Sequence, residues 1–165
     1  MSTLISLIYK RNSNGPRTVP CGTPDVTAED FDILPFTTTF WDLLHKKERI
    51  QFDVPIGAFQ LTQKKLAEMI TEITKAQLLT WRLGVLRNEG QATSAQISMA
   101  KRNNVAMALD VAREARQVLG AMGISGEYSI MRHMMNLESV ITYEGTHDIH
   151  LLITGLDVTG LNGFK

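Results

Sequence analysis

Apolar residues recur at near-helical spacing through most of this chain, and only its first quarter breaks the pattern. After Val54, the residues Phe59, Leu66, Met69, Ile70, Ile73, Leu83 and Leu86 share one helical stripe up to a break at Asn88–Gly90. Pro55 suits the first turn of that helix, where its missing amide costs nothing. A helix this long exceeds the globular average and points to a bundle. Thr93–Ser94 can cap a second helix carrying Ile97, Ala100, Met107, Ala108, Val111, Ala115 and Val118, ending at Gly120. Its alanines let a neighbouring helix come close. A third helix is expected over 128–139. A fourth starts at Thr146 and carries Ile149, Leu152 and Ile153 before Gly155. No alternating strand pattern follows Val54 and no internal repeat is visible. The expected fold is therefore all-α, an antiparallel helical bundle with short loops.

The first 47 residues read differently. Residues 12–25, NSNGPRTVPCGTPD, gather turn-forming pairs, and repeated prolines fix φ and delete amide donors. We expect an irregular segment over 1–47, with a short helix near 40–47, and a separate helical domain over 48–165.

Composition narrows the function classes. A hydrophobic content of 44% in 165 residues is enough to bury a real core. Lys+Arg and Asp+Glu balance at 17 each, so no basic excess points to nucleic acid or an anionic membrane. Cys21 is the single cysteine, which excludes an internal disulfide framework and a multi-cysteine metal site. No apolar run approaches the roughly 20 residues of a bilayer span. The N-terminus lacks the basic region of a secretion signal and the arginines of an organellar leader. A soluble protein of a reducing compartment is the expectation.

Four local patterns are candidates for chemistry, and each has a plain structural alternative. Residues 141–150, ITYEGTHDIH, set the carboxylate of Glu144 beside Gly145, where a ligand can approach the backbone, and Thr146, which can cap the next helix. By itself this reads more readily as a loop acid beside an N-cap. Arg49, within ERIQF at the start of a long helix, can clamp a phosphate, or sit solvated among Lys46, Lys47 and Glu48. The glycines of residues 117–126, QVLGAMGISG, can leave amides open to a phosphate, or simply end a helix. His133, His147, Asp148 and His150 can be combined into a metal site, but no defined zinc motif is present and surface helix polarity explains them more cheaply. Core filling explains Met131, Met134 and Met135.

The order and spacing of these segments carry more than any one of them. ERIQFDVPIGAFQLTQKKLAEMITEIT, KRNNVAMALDVAREARQVLGAMGISGEY and RHMMNLESVITYEGTHDIHLLITG together resemble the C-terminal domain of acyl-CoA dehydrogenases, the glutaryl-CoA branch in particular. The resemblance runs from about residue 48 to the C-terminus and includes none of the first 47.

That resemblance implies an FAD-dependent oxidation of an acyl-CoA at Cα–Cβ, followed in the glutaryl branch by decarboxylation to crotonyl-CoA. Glu144 takes the role of the base that removes the α-proton while the β-hydrogen leaves as hydride to the flavin. Gly145 takes a substrate contact, and Thr146, His147 and Asp148 a flavin-facing turn. Arg49 is implied as a flavin-phosphate ligand, Gln60 and Phe164 as further flavin contacts. Gln117, Val118, Leu119, Gly120 and Ala121 are implied as the loop facing the adenine end across a dimer interface. The implied partners are FAD, a glutaryl-CoA-class thioester and further copies of the chain as a homo-oligomer (a tetramer in the family). No metal, nucleic acid or membrane is implied. The mitochondrial matrix is the implied compartment in a eukaryote, the cytoplasm otherwise.

Three positions depart from the family pattern: Asp53 where glycine is usual, Ala121 where the loop has a second glycine, and Leu156 where the glutaryl branch tends to arginine. The N-terminal helical domain and central β domain that precede this bundle in the family are not legible in 1–47. The chain is thus expected to be a C-terminal fragment inactive by itself. The competing expectation is a non-catalytic helical interaction module or a truncated gene product.

Overall fold

The computed structural model describes residues 49–164. The irregular segment expected over 1–47 and the short helix near 40–47 lie outside the described residues. After Arg49 comes a minimal hairpin of β1 (Ile50–Gln51) and β2 (Val54–Pro55), paired antiparallel with Gln51 opposite Val54. A 3-10 turn at Ile56–Ala58 leads into α1 (Gln60–Asn88). Then follow α2 (Ser94–Leu119), a 3-10 segment at Gly120–Ile124, α3 (Ile130–Thr142) and α4 (His147–Thr159). The all-α expectation holds, with four helices and one two-residue hairpin among the described residues.

The hairpin is the main departure from the periodicity. Pro55 adopts φ −58° and ψ 139°, an extended conformation, so it closes β2 and the long helix begins five residues later. Phe52 and Asp53 both have positive φ, 52° and 59°. Two left-handed central residues make the type I′ geometry whose twist suits a two-residue hairpin. Asp53 therefore occupies a position that favours glycine, and aspartate tolerates it better than most residues. Phe52 is strained and exposed, and its ring meets Phe59 edge-on at 6.4 Å.

Helix α2 is the axis of the bundle and packs against α1, α3 and α4 in turn. Its N-terminus is fixed by a capping box in which Thr93 and Gln96 exchange side-chain and backbone hydrogen bonds. Lys65 near the start of α1 pairs with Glu114 near the end of α2 at 2.6 Å, and Thr80 accepts from Asn104. α1 and α2 are therefore antiparallel. Arg113 reaches Glu138 on α3, while Lys101 reaches the chain just beyond α3, so that pair is antiparallel as well. The core joins Met69, Ile73 and Ala76 of α1 to Met107, Val111, Ala115 and Leu119 of α2 and Ile130 of α3. Ala112 and Ala115 are completely buried, as close helix contact at small residues requires.

Several boundaries and faces differ from the expectation. Ile97 is 41% exposed, and Ala95 and Ser98 fill the buried positions of that turn instead. Because α2 has neighbours on several sides, its buried stripe is wider than the simple period and shifts along its length. α3 starts at Ile130 rather than 128 and runs on to Thr142. α4 continues through Gly155 to Thr159 and ends where Gly160 turns left-handed. No helix among the described residues is long and apolar enough to cross a membrane.

Candidate active site

Between α3 and α4 the chain reverses in four residues, Tyr143–Thr146. Tyr143 is extended, Glu144 has φ +53° and Gly145 has φ +93°. Thr146 then caps α4, its Oγ1 accepting from the amide of Ile149 at 3.3 Å, as expected from sequence. Asp148 lies in the first turn of α4, where a negative charge favours the helix dipole. The left-handed conformation costs a non-glycine residue such as Glu144 roughly 1 kcal/mol, so something must hold it there. Its side chain is exposed to solvent.

Beneath this turn lie Lys101, which has no role in the sequence reading, and His150, weighed there only among the histidines. Lys101 of α2 donates from one ammonium to three successive carbonyls, Tyr143 at 2.5 Å, Glu144 at 3.0 Å and Gly145 at 2.9 Å. Its charge also lies 5.8 Å from the centre of the Tyr143 ring. His150 lies under Gly145 and is 8% exposed. A Cβ at residue 145 would stand 2.9 Å from His150 Nε2, so glycine is needed for packing as well as for its φ. The expectation that His150 belongs to a polar helix surface is thus corrected, since the tight turn drops onto it and shields it. Lys101, Arg102, Val105, Val140, Ile141, His147 and His150 line a small cavity below Gly145. His133, His147, Asp148 and His150 do not converge, and among the described residues no group of three or more such side chains is placed to hold a metal.

Burial first, and the neighbouring Lys101 charge second, push the His150 imidazole below its ordinary pKa. The Glu144 and Gly145 carbonyls oppose this, but neither is aligned for a hydrogen bond to the ring. In the window between the folded value and the ordinary one near 6.5, the unfolded chain binds more protons than the folded chain. Stability is therefore at its full value above that window and falls as pH drops through it. Thermal melts between pH 7 and 5 are expected to show this acid loss, and His150→Leu to flatten the curve.

At the other end of α2 a second group of predicted residues assembles. The Arg49 guanidinium donates to the carbonyls of Val118, at 3.2 Å, and Leu119, the closing carbonyls of α2. These carbonyls carry the negative end of the helix dipole, which a cation complements. Arg49 thus precedes β1 rather than heading a long helix. Gly120 has φ +59° and ψ −128°, and a Cβ there would meet the Arg49 guanidinium at 2.7 Å. Gln117 is exposed and accepts from Lys65 at 2.6 Å, Leu119 is buried in the core, and Ala121 is exposed in the 3-10 segment. Gln60 is the first residue of α1, at this same end. Phe164 is partly exposed in the tail, where its amide donates to Asn162. Lys101 and Leu119 are separated by about 27 Å along the helix axis at 1.5 Å per residue. Apart from Phe164, the predicted residues thus form two clusters, toward opposite ends of α2.

The described residues thus form a four-helix bundle with a strained glutamate turn toward one end of α2 and an arginine-braced glycine loop at the other. The family model for the acyl-CoA dehydrogenase C-terminal domain matches residues 43–157, and the chain belongs to that family. It is 35% identical over 111 residues to the short-chain specific acyl-CoA dehydrogenase of Megasphaera elsdenii, covering 67% of this chain and 29% of that protein. It is 33% identical over 115 residues to the glutaryl-CoA dehydrogenase of Desulfococcus multivorans, covering 69% and 30%. A crystal structure of glutaryl-CoA dehydrogenase from Mycobacterium smegmatis superposes with TM-score 0.71 at 50% identity, over 76% of this chain and 34% of that one. A second, in complex with FADH2, gives TM-score 0.73 at 44% identity, over 78% and 33%. The chain spans about a third of the length of the relatives it matches.

Proposed function

We propose that residues 49–164 form the flavin-covering bundle of an FAD-dependent acyl-CoA dehydrogenase that acts on a glutaryl-CoA-class thioester, with Glu144 as the base. The observation that carries the reading is the Tyr143–Thr146 turn, which presents a strained, exposed carboxylate within YEGTHDIH. A carboxylate desolvated by substrate and flavin becomes a stronger base toward a weakly acidic C–H bond. FAD would be held by the Arg49 end, where Gln60 and Gln117–Ala121 gather, and by Thr146, His147 and Asp148 at the Glu144 end. When bound, it supplies the acceptor for the β-hydride. Arg49, packed against Gly120 at the close of α2, offers it a planar cation. Glu144 takes the α-proton onto a carboxylate oxygen, and Gly145 leaves the backbone beside it free of a Cβ. Decarboxylation to crotonyl-CoA follows in the glutaryl reading.

The two clusters lie about 27 Å apart on one helix, which favours a cofactor shared between two copies and hence a homo-oligomer. Exposed apolar residues along α4 and the tail, among them Leu151, Leu152, Leu156, Val158 and Leu161, suit burial in such an assembly. The compartment proposed is the mitochondrial matrix in a eukaryote and the cytoplasm in a bacterium.

The test replaces the corresponding bundle of the Mycobacterium smegmatis glutaryl-CoA dehydrogenase by residues 49–164. The chimera is expected to retain FAD and to have its flavin absorbance bleached by glutaryl-CoA. A folded chimera that retains no flavin would favour the interaction-module reading.

A further inference from the structure

We infer that Lys101 is the positioning residue of the Glu144 turn: its ammonium, shared among the three carbonyls of Tyr143, Glu144 and Gly145, holds Glu144 in the left-handed conformation. The inference rests on the reading of Glu144 as the base, but its physical basis is independent of flavin or substrate.

Successive carbonyls of an extended strand point to alternate sides, and those of a helix run parallel to its axis. Three in a row converge on one point only where the backbone curls, as it does here through φ +53° and +93°. The threefold contact with the ammonium therefore depends on the curl. A lysine has three donors and no acceptor, and all three are matched here by carbonyl oxygens at 2.5, 3.0 and 2.9 Å. Tyr143 also ends α3, so its carbonyl lies at the negative end of that helix, where a cation is favoured. Lys101 comes from α2, 42 to 44 residues earlier in the chain. It ties the turn to the central helix of the bundle, whereas the Glu144 side chain itself stays exposed. A carboxylate on so short a turn has few other restraints: Thr146 caps α4 behind it and His150 supports Gly145 from below.

The test uses isotope-labelled full chain and nuclear magnetic resonance. In the wild type, the HN–Hα coupling and the Cα and Cβ shifts of Glu144 are expected to mark a left-handed residue. In Lys101→Met they are expected to move to the averaged values of an unrestrained residue, with helical shifts in α1 and α2 retained. Lys101→Arg, whose fork reaches several acceptors, is expected to restore most of the signature. An unchanged Glu144 signature in Lys101→Met would overturn the inference, because the turn would then hold itself.

Thermal melts provide a second arm. Glu144→Gly removes the penalty for positive φ, so Lys101→Met is expected to lower Tm by less than half as much in that background as in the wild type. An equal loss in both backgrounds would also overturn the inference. If the methionine variant does not fold, Lys101→Gln takes its place in both arms, with smaller shifts of the same sign expected and unchanged values decisive against. None of these readouts needs cofactor or substrate. Failure of Glu144 as a base would thus leave them standing, and their failure would leave the base assignment standing.

Discussion

Glu144→Gln in the flavin-loaded chimera is expected to slow flavin reduction by glutaryl-CoA about a thousandfold, with FAD retained and Tm nearly unchanged. A general base contributes roughly 10²- to 10⁴-fold, and a neutral amide cannot accept the α-proton. Glutamine matches glutamate in shape, and the side chain at 144 is exposed with no hydrogen-bond partner to lose among the described residues. The turn is held by main-chain carbonyls, which the substitution leaves in place. The stability change should therefore stay within about 0.5 kcal/mol, as for most surface substitutions. Stopped-flow absorbance of the flavin measures the rate, and its spectrum before substrate reports retention. A reduction rate within tenfold of the parent would remove Glu144 from the role of base. Glu144→Asp gives a useful contrast: it keeps the charge but withdraws it by one methylene. A misplacement of about 1 Å can cost on the order of a hundredfold, so an intermediate rate is expected.

How much of this was legible in the sequence depended on whether the signal was local. The four helices were, because Met107, Val111 and Ala115 repeat every four residues and Thr93 and Thr146 stand where caps are needed. The angle of each buried stripe was not. Ile97 was expected inside and is exposed, whereas Leu119 is buried more deeply than Val118, because burial around α2 is set by three neighbours at once. The hairpin escaped detection since two-residue strands are too short to alternate, and Phe52–Asp53 lacks the usual glycine signal. Glu144, Gly145 and Thr146 were legible as a turn, and their family role came from the resemblance of the surrounding segments. Lys101 was not, for a physical reason: its partners are backbone carbonyls more than forty residues away, and carbonyls leave no mark on residue identity. His150 was visible only as one of several histidines. Its burial follows from the sharp reversal at Gly145, which no periodicity encodes.

The Arg49 end supports the second large prediction. Gly123→Ala is expected to destabilise the chain by about 3 kcal/mol, the upper part of the range for forced overpacking. Gly123 is buried in the 3-10 segment that follows α2, and a Cβ there would lie 2.3 Å from the carbonyl oxygen of Arg116 and 3.0 Å from its Cα. Those are backbone atoms in the last turn of a helix and cannot swing aside as a side chain would. The segment Gly120–Ile124 would have to lift away from α2. Met122 packs against the core cluster beside Leu119 and would be drawn out with it. A loss of that size corresponds to a fall in Tm of roughly 10 °C, readable by circular dichroism. Gly126→Ala is the control: nothing lies within 4 Å of its Cβ position, so its effect should stay within about 0.5 kcal/mol. Gly120→Ala differs in kind, since it combines a left-handed φ with an obstacle that is only the movable end of Arg49. It is the milder steric lesion but displaces the guanidinium directly. If Arg49 and the glycine loop hold FAD together, Gly120→Ala should weaken flavin retention more than its loss of stability accounts for. In Gly123→Ala the loss of flavin should instead track unfolding.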